Sequence, residues 1–547
     1  MDFYYRVKKE IFTMMLKKWI VLILAVTLLG MLLAGCGGTS GTKEQVLRLR
    51  EGGEPETMDP AKATGVPEAN YLQAIFEGLT SLDAKGLPIP AAAEKWEVSL
   101  DGLKYTFHLR ANAKWSNGDP VTATDFEYSW KRLLSPQLAA EYAYMLFPVK
   151  GAEAYNNGKG TVDQVGIKAL DDKTLEVILD KPTAYFLAVL SHASTYPVNR
   201  KVIEAANEKW AGEVGTLIGN GPFKVSEWTH GSKLTMVKND QYWDKDKVKL
   251  SKLEWALLES NATGMSMFDN KQLDYMYDPP VTEADRLKQE NKLQLGNYLG
   301  AYYYELNNKK APFDNPKVRK AFALAIDRDS LVRNVLKGIH KSATGWISPG
   351  FTDPTTMKDF TEGSGEYIKT DVAEAKKLLA DAGYPEGKGL PPITLLFNTN
   401  DNHKAIAETV QEMWKKNLGV EVELQNQEWK VFLQTRKSGE FQIARAGWIG
   451  DYPDPMTFAD YFLTNGGNNW GKYSNIDYDK LIATAQETND QNVRMKAMHD
   501  AEKILMDDMG IIPIYFYNKP YCLNPKVKGI IAPATGVVNY KDAYIEQ

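Results

Sequence analysis

Residues 393–451 read ITLLFNTNDNHKAIAETVQEMWKKNLGVEVELQNQEWKVFLQTRKSGEFQIARAGWIGD, and this stretch decides the fold. Ile393 to Phe397 is a short apolar run, the pattern of a buried strand. From about Asn402 to Asn417, Ile406, Val410 and Met413 recur on one helical face, and Gly419 stops the helix. Val420, Val422 and Leu424 then alternate with Glu421, Glu423 and Gln425, as in a half-buried strand. Trp429 to Lys437 reads as a short helix ending before Gly439, and Phe441 to Ala446 as a third strand. A β-α-β-α-β order requires parallel strands joined by crossover helices, so the class is α/β. In such sheets ligands sit beyond the carboxyl ends of the strands. His403 and the residues from Arg445 to Asp451 fall at that edge.

The unit closes on Arg445-Ala446-Gly447-Trp448-Ile449-Gly450-Asp451-Tyr452-Pro453-Asp454-Pro455. The two glycines let a backbone approach closely. The two prolines oppose a long helix directly after Asp451, so this aspartate is not a simple helix cap. Two readings remain: a turn that uses Asp451 as acceptor with Trp448 in the core, or a site built from one Arg, one Trp and one Asp.

Outward from this unit the same alternation continues. Lys104 to Arg110 has period two and is a strand; Asn117-Gly118-Asp119-Pro120 is a turn. Thr122 with Asp125 opens a helix through Leu134, and Lys173 to Leu179 is another strand. Asn315-Pro316 and Asp371 with Glu374 are further helix starts, the latter helix ending at Gly383. At 547 residues the chain has room for two to four domains. Its 44% hydrophobic and 25% charged composition is that of a soluble globular protein. Lys+Arg 65 against Asp+Glu 70 leaves −5, without the basic surplus of a nucleic-acid binder. No nucleophile elbow, His-Glu-x-x-His, Cys-x-x-Cys or P-loop occurs, and the six histidines stand singly. These absences argue against catalysis, a bound metal or a cofactor.

The amino terminus reads as an address. Five basic residues from Arg6 to Lys18 precede the apolar run Trp19 to Leu33, which ends in Leu33-Ala34-Gly35-Cys36. That run is too short for a membrane span and has the form of a secretory signal. Leu33 to Cys36 resembles the bacterial lipobox, in which the Cys is lipidated and becomes the new N-terminus. Residues 1–35 are then a signal and 36–45 a flexible Gly/Ser/Thr linker. Removing residues 1–35, with five basic and two acidic side chains, leaves 547 − 35 = 512 residues and −5 − 3 = −8. Cys522 is the remaining thiol and reads as a small buried hydrophobe.

A family resemblance joins these parts. Glu54-Pro55-Glu56-Thr57-Met58-Asp59-Pro60, Phe76-Glu77-Gly78-Leu79, and the run from Ala93 to Arg110 resemble the family 5 extracellular solute-binding proteins. So do Trp115 to Ala123, Asn220-Gly221-Pro222-Phe223 and Asn239-Asp240-Gln241-Tyr242-Trp243. The resemblance spans nearly all of residues 46–545. Tyr302 to Asn308, Asn426-Gln427-Glu428-Trp429 and Arg445 to Tyr452 are most similar to the oligopeptide-binding lipoproteins of ABC importers. It implies a periplasmic-binding-protein-like fold of two lobes with an extra domain. The implied division is 46–76, 208–299 and 517–547 for domain I, 77–207 for the extra domain, and 300–516 for the second ligand-binding lobe.

The resemblance also implies roles. Asp451 matches the aspartate that captures a peptide α-ammonium. Arg436, His403 and Arg445 match positions near the peptide carboxylate or in the site's charge network. Val66 and Gly447 to Ile449 match backbone strand-pairing segments, and Trp448, Tyr277 and Tyr142 match aromatic pocket residues. Asp278 departs from the pattern, because the oligopeptide branch carries an amide there. The implied function is a monomeric, lipid-anchored, extracytoplasmic receptor that hands oligopeptides to a membrane permease and turns nothing over. A di- or tripeptide receptor, a signalling receptor for peptide pheromones, and a secreted peptidase or glycosidase with scattered carboxylates are the alternatives.

Overall fold

The computed structural model describes residues 14, 15 and 44–546. The signal, the Cys36 lipobox and all but the end of the linker lie outside the described residues. Residues 45–546 cluster as one compact unit.

Two large mixed sheets organise that unit. The first has six strands in the order Lys341–Ser342, Ile511–Phe516, Gly300–Leu306, Ile443–Ile449, Ile393–Asn398 and Val422–Gln427. Ile393–Asn398 pairs in parallel with both Val422–Gln427 and Ile443–Ile449, as the β-α-β-α-β reading requires. Its crossover helices are Asp401–Leu418 and Trp429–Ser438. The Asn400 side chain accepts from Asn402 and His403 N–H to start the first, and Glu428 caps the second. Gly419 and Gly439, at φ +71° and +72°, end them in the left-handed conformation that glycine adopts without strain.

Strand boundaries differ from expectation: the second strand begins at Val422 rather than Val420, and the third at Ile443 rather than Phe441. The third strand runs Ile443–Ile449 rather than stopping at Ala446. Gly300–Leu306, buried along its whole length, pairs with it from Leu306↔Ile443 to Gly300↔Ile449 and carries Gly447, Trp448 and Ile449 into the sheet.

The second large sheet has seven strands in the order Leu293–Gly296, Lys519–Leu523, Tyr275–Tyr277, Val46–Gly52, Lys252–Leu257, Lys233–Lys238 and Phe223–Thr229. It is assembled from three separated stretches of chain. A four-stranded antiparallel sheet, Ala93–Val98, Lys104–Leu109, Thr174–Ile178 and Ile167–Asp171, lies beyond it, and residues of both sheets share one hydrophobic cluster. The cluster around the six-stranded sheet is separate. The chain passes between the two large sheets twice, through the short segments 297–299 and 517–518. Among the described residues no helix is long and apolar enough to cross a membrane.

Candidate functional site

Residues of both large sheets line a cavity with about 1390 Å³ of empty space, part of it open to solvent, and a second space of about 950 Å³ adjoins it. The two share Thr64, Gly65, Val66, Gly447, Trp448 and Ile449 as lining. Val66, Tyr277, His403, Arg436, Arg445 and Gly447–Ile449 line the larger space, and Tyr142 and Asp451 the smaller. All ten residues singled out in the sequence are therefore brought to one connected void.

Bonds across the void hold its walls together. Trp429 N–H donates to Glu259 Oε1 (2.8 Å) and its indole N–H to Glu68 Oε1 (3.2 Å). Lys437 reaches Glu56 (2.9 Å) and Glu141 (3.3 Å).

Strand Ile443–Ile449 supplies the floor. Ala444, Ala446 and Trp448 are buried, while Arg445, Gly447 and Ile449 alternate with them as half-buried residues on the other face. On one side the strand is paired throughout with Gly300–Leu306. On the other, Ile393–Asn398 meets it only at Ile443 and Ala444, so residues 445–449 present an unpaired edge. An open edge exposes backbone N–H and C=O groups that another extended chain can take up. Gly447 is required there: a Cβ would stand 2.7 Å from the Tyr517 hydroxyl.

Asp451 lies just past the strand. Its backbone N–H donates to Thr457 Oγ1 (3.0 Å). Its side chain is 9% exposed, with Oδ1 3.4 Å from His192 Nε2, while Oδ2 is buried without a hydrogen-bond partner. Among the described residues no lysine or arginine lies within 4.0 Å of it. The turn acceptor is Asp454 instead, which takes Met456 N–H at 2.9 Å. Trp448 donates its indole N–H to Thr457 O (2.8 Å) and packs on Tyr461, serving core and lining together. Nearby, burial and then the charges of Asp451 and Asp454 push the Asp460 carboxyl well above its ordinary range. Burial, then the Asp451 charge, raises the Tyr142 hydroxyl in the same way.

The other end is cationic. Arg445 donates to the Tyr517 hydroxyl (3.0 Å) and Asn398 Oδ1 (3.4 Å) and stands over the Tyr302 ring. Its Nε is buried without a partner, and among the described residues no carboxylate lies within 4.0 Å of it. Burial, then the Arg445 charge, depresses His403 well below the usual imidazole range, so His403 is neutral. Its Nδ1 is likewise buried and unpartnered.

Arg436 differs in kind. Its Nε and Nη2 both donate to Glu305 Oε2 (3.0 and 2.9 Å), with side chains 6% and 0% exposed. This guanidinium lines the void with its charge already matched. Tyr277 lines it beside the Lys519 ammonium, 5.4 Å from its ring. Asp278, the departing position, is at φ +54° and its carboxylate is held by Asn261 (2.9 Å), Asn400 (3.2 Å) and Asn402 (3.0 Å). The amides that surround this carboxylate, and the neighbours His192, Asn398 and Tyr517, were not legible in the sequence. Each comes from a segment remote from the one it touches. Among the described residues no group of three His, Cys, Asp or Glu side chains gathers as a metal would need.

A void between two halves, with an open strand edge flanked by the Asp451 carboxylate and the Arg445 guanidinium, neither of which has a partner of opposite fixed charge within 4.0 Å among the described residues, is the arrangement of a ligand-binding protein. Residues 88–470 match the model of the bacterial extracellular solute-binding proteins, family 5, and the chain belongs to that family. It is a binding protein with the two-lobed periplasmic-binding-protein-like fold, not an enzyme. The dipeptide-binding protein DppE of Bacillus subtilis is 44% identical over 504 residues, 92% of each chain. The oligopeptide-binding protein OppA of the same species is 40% identical over 97% of this chain and 100% of its own. The murein tripeptide binding protein MppA of Escherichia coli superposes with TM-score 0.86 at 36% identity, over 92% of this chain and 99% of that one. Against the unliganded open form of MppA the TM-score is 0.61, over 92% and 98%. The two halves here are therefore arranged unlike that open form.

Proposed function

We propose that the chain is a lipid-anchored extracytoplasmic receptor that binds oligopeptides and delivers them to an ABC permease. One observation carries the reading: a buried, unpaired carboxylate and a buried, unpaired guanidinium flank one open strand edge. A buried charge without a partner is costly, and the two ends of a peptide supply both missing partners. The peptide lies as an added strand on residues 445–449, its α-ammonium on Asp451 and its carboxylate toward Arg445 and His403. Main-chain bonding of this kind reads no sequence, and the roomy void accepts varied side chains. Four strand steps from Arg445 to Ile449 cover about 13 Å, the length of roughly four extended residues, and Asp451 lies two residues further on.

The lobes are 46–76 with 208–299 and 517–547 on one side and 300–516 on the other, with 77–207 as the added domain. Segments 297–299 and 517–518 are the hinge. Cys36 carries the lipid, residues 36–45 are the tether, and the receptor acts as a monomer. A dipeptide receptor is the rival reading, favoured by the similarity to DppE.

Mass spectrometry of peptides released by denaturing the purified protein tests the two. Mixed sequences of about four to six residues support the oligopeptide reading; a dominant dipeptide overturns it. Asp451→Asn should weaken free-amine peptides by about a hundredfold and N-acetylated ones little.

A further inference from the structure

His192 stands at the wall of the smaller chamber, 11% exposed, with Nε2 3.4 Å from Asp451 Oδ1. Its main chain is fixed on both sides: His192 N–H donates to Val189 O (3.0 Å), and His192 O accepts from Thr195 N–H (3.0 Å) and Oγ1 (2.8 Å). The ring is fixed as well. The backbone N–H of Ser194 points at Nδ1 (3.3 Å), the Ser194 hydroxyl lies 2.8 Å from the same nitrogen, and the Tyr142 ring closes one face at 4.6 Å. A ring nitrogen that accepts a backbone N–H carries no proton of its own. With Nδ1 as the acceptor, a proton on the ring sits on Nε2, the nitrogen turned to Asp451.

This arrangement solves a particular problem. A carboxylate beside a void can rotate, and a ligand must then fix it at the cost of that freedom. A lysine or arginine would fix it but cancel its charge, as Arg436 and Glu305 cancel each other. An imidazole whose ring is fixed by its own neighbours can hold the carboxylate in one orientation without a lysine or arginine at the site. We infer that His192 is the positioning residue of the ammonium anchor: its Nε2 stands 3.4 Å from Asp451 Oδ1 and closes on it when a ligand binds, leaving Oδ2, the oxygen without a hydrogen-bond partner, for the ligand's α-ammonium. The inference rests on the reading of Asp451 as that anchor. It makes His192 a determinant of the preference for a free over a blocked amino terminus, a property that packing alone does not confer.

The test is calorimetric titration of the full chain with tetra-alanine and with N-acetyl-tetra-alanine. His192→Phe keeps a ring but loses the donor, His192→Asn is too short to reach Asp451, and His192→Gln places an amide nitrogen near Nε2. Phe and Asn should each weaken tetra-alanine about tenfold and the acetylated peptide less than twofold. Gln should restore tetra-alanine to within about threefold of the natural protein. Should one loss variant fail to fold, judged by its thermal transition, the other carries the comparison. Equal weakening of both peptides, no weakening of either, or a Gln variant as poor as Phe overturns the inference. Asp451→Asn separates the two layers. If it leaves the free-amine preference intact, the anchor reading itself fails. If it abolishes the preference while the Phe and Asn variants keep it, only the role of His192 falls. In the Asp451→Asn background His192→Phe should add nothing further.

Discussion

Replacing Arg445 by methionine separates the two readings of ligand size. The side chain keeps its length and apolar stem but loses the buried cation, whose Nε has no partner and which no carboxylate approaches within 4.0 Å among the described residues. A ligand carboxylate about 4 Å from the guanidinium, at an effective dielectric near 20, gains about 4 kcal/mol. Its own desolvation takes back part of this, and truncation of one partner in such pairs costs about 2–5 kcal/mol. A tetra- to hexapeptide long enough to reach from Asp451 to Arg445 should therefore bind ~30- to 1000-fold more weakly to Arg445→Met. A dipeptide held at Asp451 spans only about 7 Å and stops short, so it should lose less than twofold. Titration calorimetry with a length series, each peptide as free acid and as C-terminal amide, reads the effect. The amides should bind the natural protein and the variant alike. Equal losses for acid and amide, or a loss that is as large for dipeptides, would refute the assignment of Arg445 to the peptide carboxylate.

Arg436→Met should behave differently. It strands the fully buried Glu305, so we expect a loss of about 3–5 kcal/mol in unfolding free energy by denaturant titration; unchanged stability with lost peptide binding would reverse the roles of the two arginines. Glu502 gives a pH signature. Burial raises its carboxyl from 4.5 to about 7, although Trp346 N–H, Ile347 N–H and the Ser364 hydroxyl all donate to it. The folded protein thus keeps a proton that the unfolded chain releases above 4.5. This contribution to stability is complete below pH 4.5 and is lost as pH rises through about 7, by up to about 3 kcal/mol. Glu502→Gln should flatten the thermal midpoint over that window and raise it at pH 8; parallel curves for the two proteins would count against it. Cys36→Ser should shift the protein from the membrane pellet to the soluble fraction, and continued sedimentation with membranes would exclude the lipid anchor.

The core of the fold was legible because its signals are local. Residues 393–451 carry helix caps, left-handed glycines and alternation within each element, and the parallel order follows from crossovers that are themselves contiguous. The sequence misplaced the end of strand Ile443–Ile449 because Gly447 and Gly450 read as loop. The strand character of Gly447 comes from Gly300–Leu306, whose pairing extends to Ile449. Tyr275–Tyr277 shows the same effect more strongly. Three residues followed by Asp278-Pro279-Pro280 carry no period, and they form a strand because Val46–Gly52 and Lys519–Leu523 flank them. Strand identity in this sheet is a property of neighbours more than 200 residues apart.

The site was legible in its residue types and not in its charges. Arg436 and Arg445 stand nine positions apart, and nothing local separates them: both follow from the same β-α-β unit and both reach the void. What separates them is Glu305, whose carboxylate is consumed by Arg436 and by Gly471 N–H, leaving Arg445 with only the Tyr517 hydroxyl and an asparagine oxygen. The same holds at the acidic end. Asp451, Asp454 and Asp460 lie within ten residues, yet Asp454 is paired with Arg494 at 2.6 Å and burial drives Asp460 toward its neutral form. Asp451 has no lysine or arginine within 4.0 Å among the described residues, and His192 stands beside it. Pairing thus separates groups of the same type: Arg436 is matched by Glu305 and Asp454 by Arg494, while Arg445 and Asp451 have no such partner among the described residues, and on the proposed reading the distance between those two sets which ligands can satisfy both.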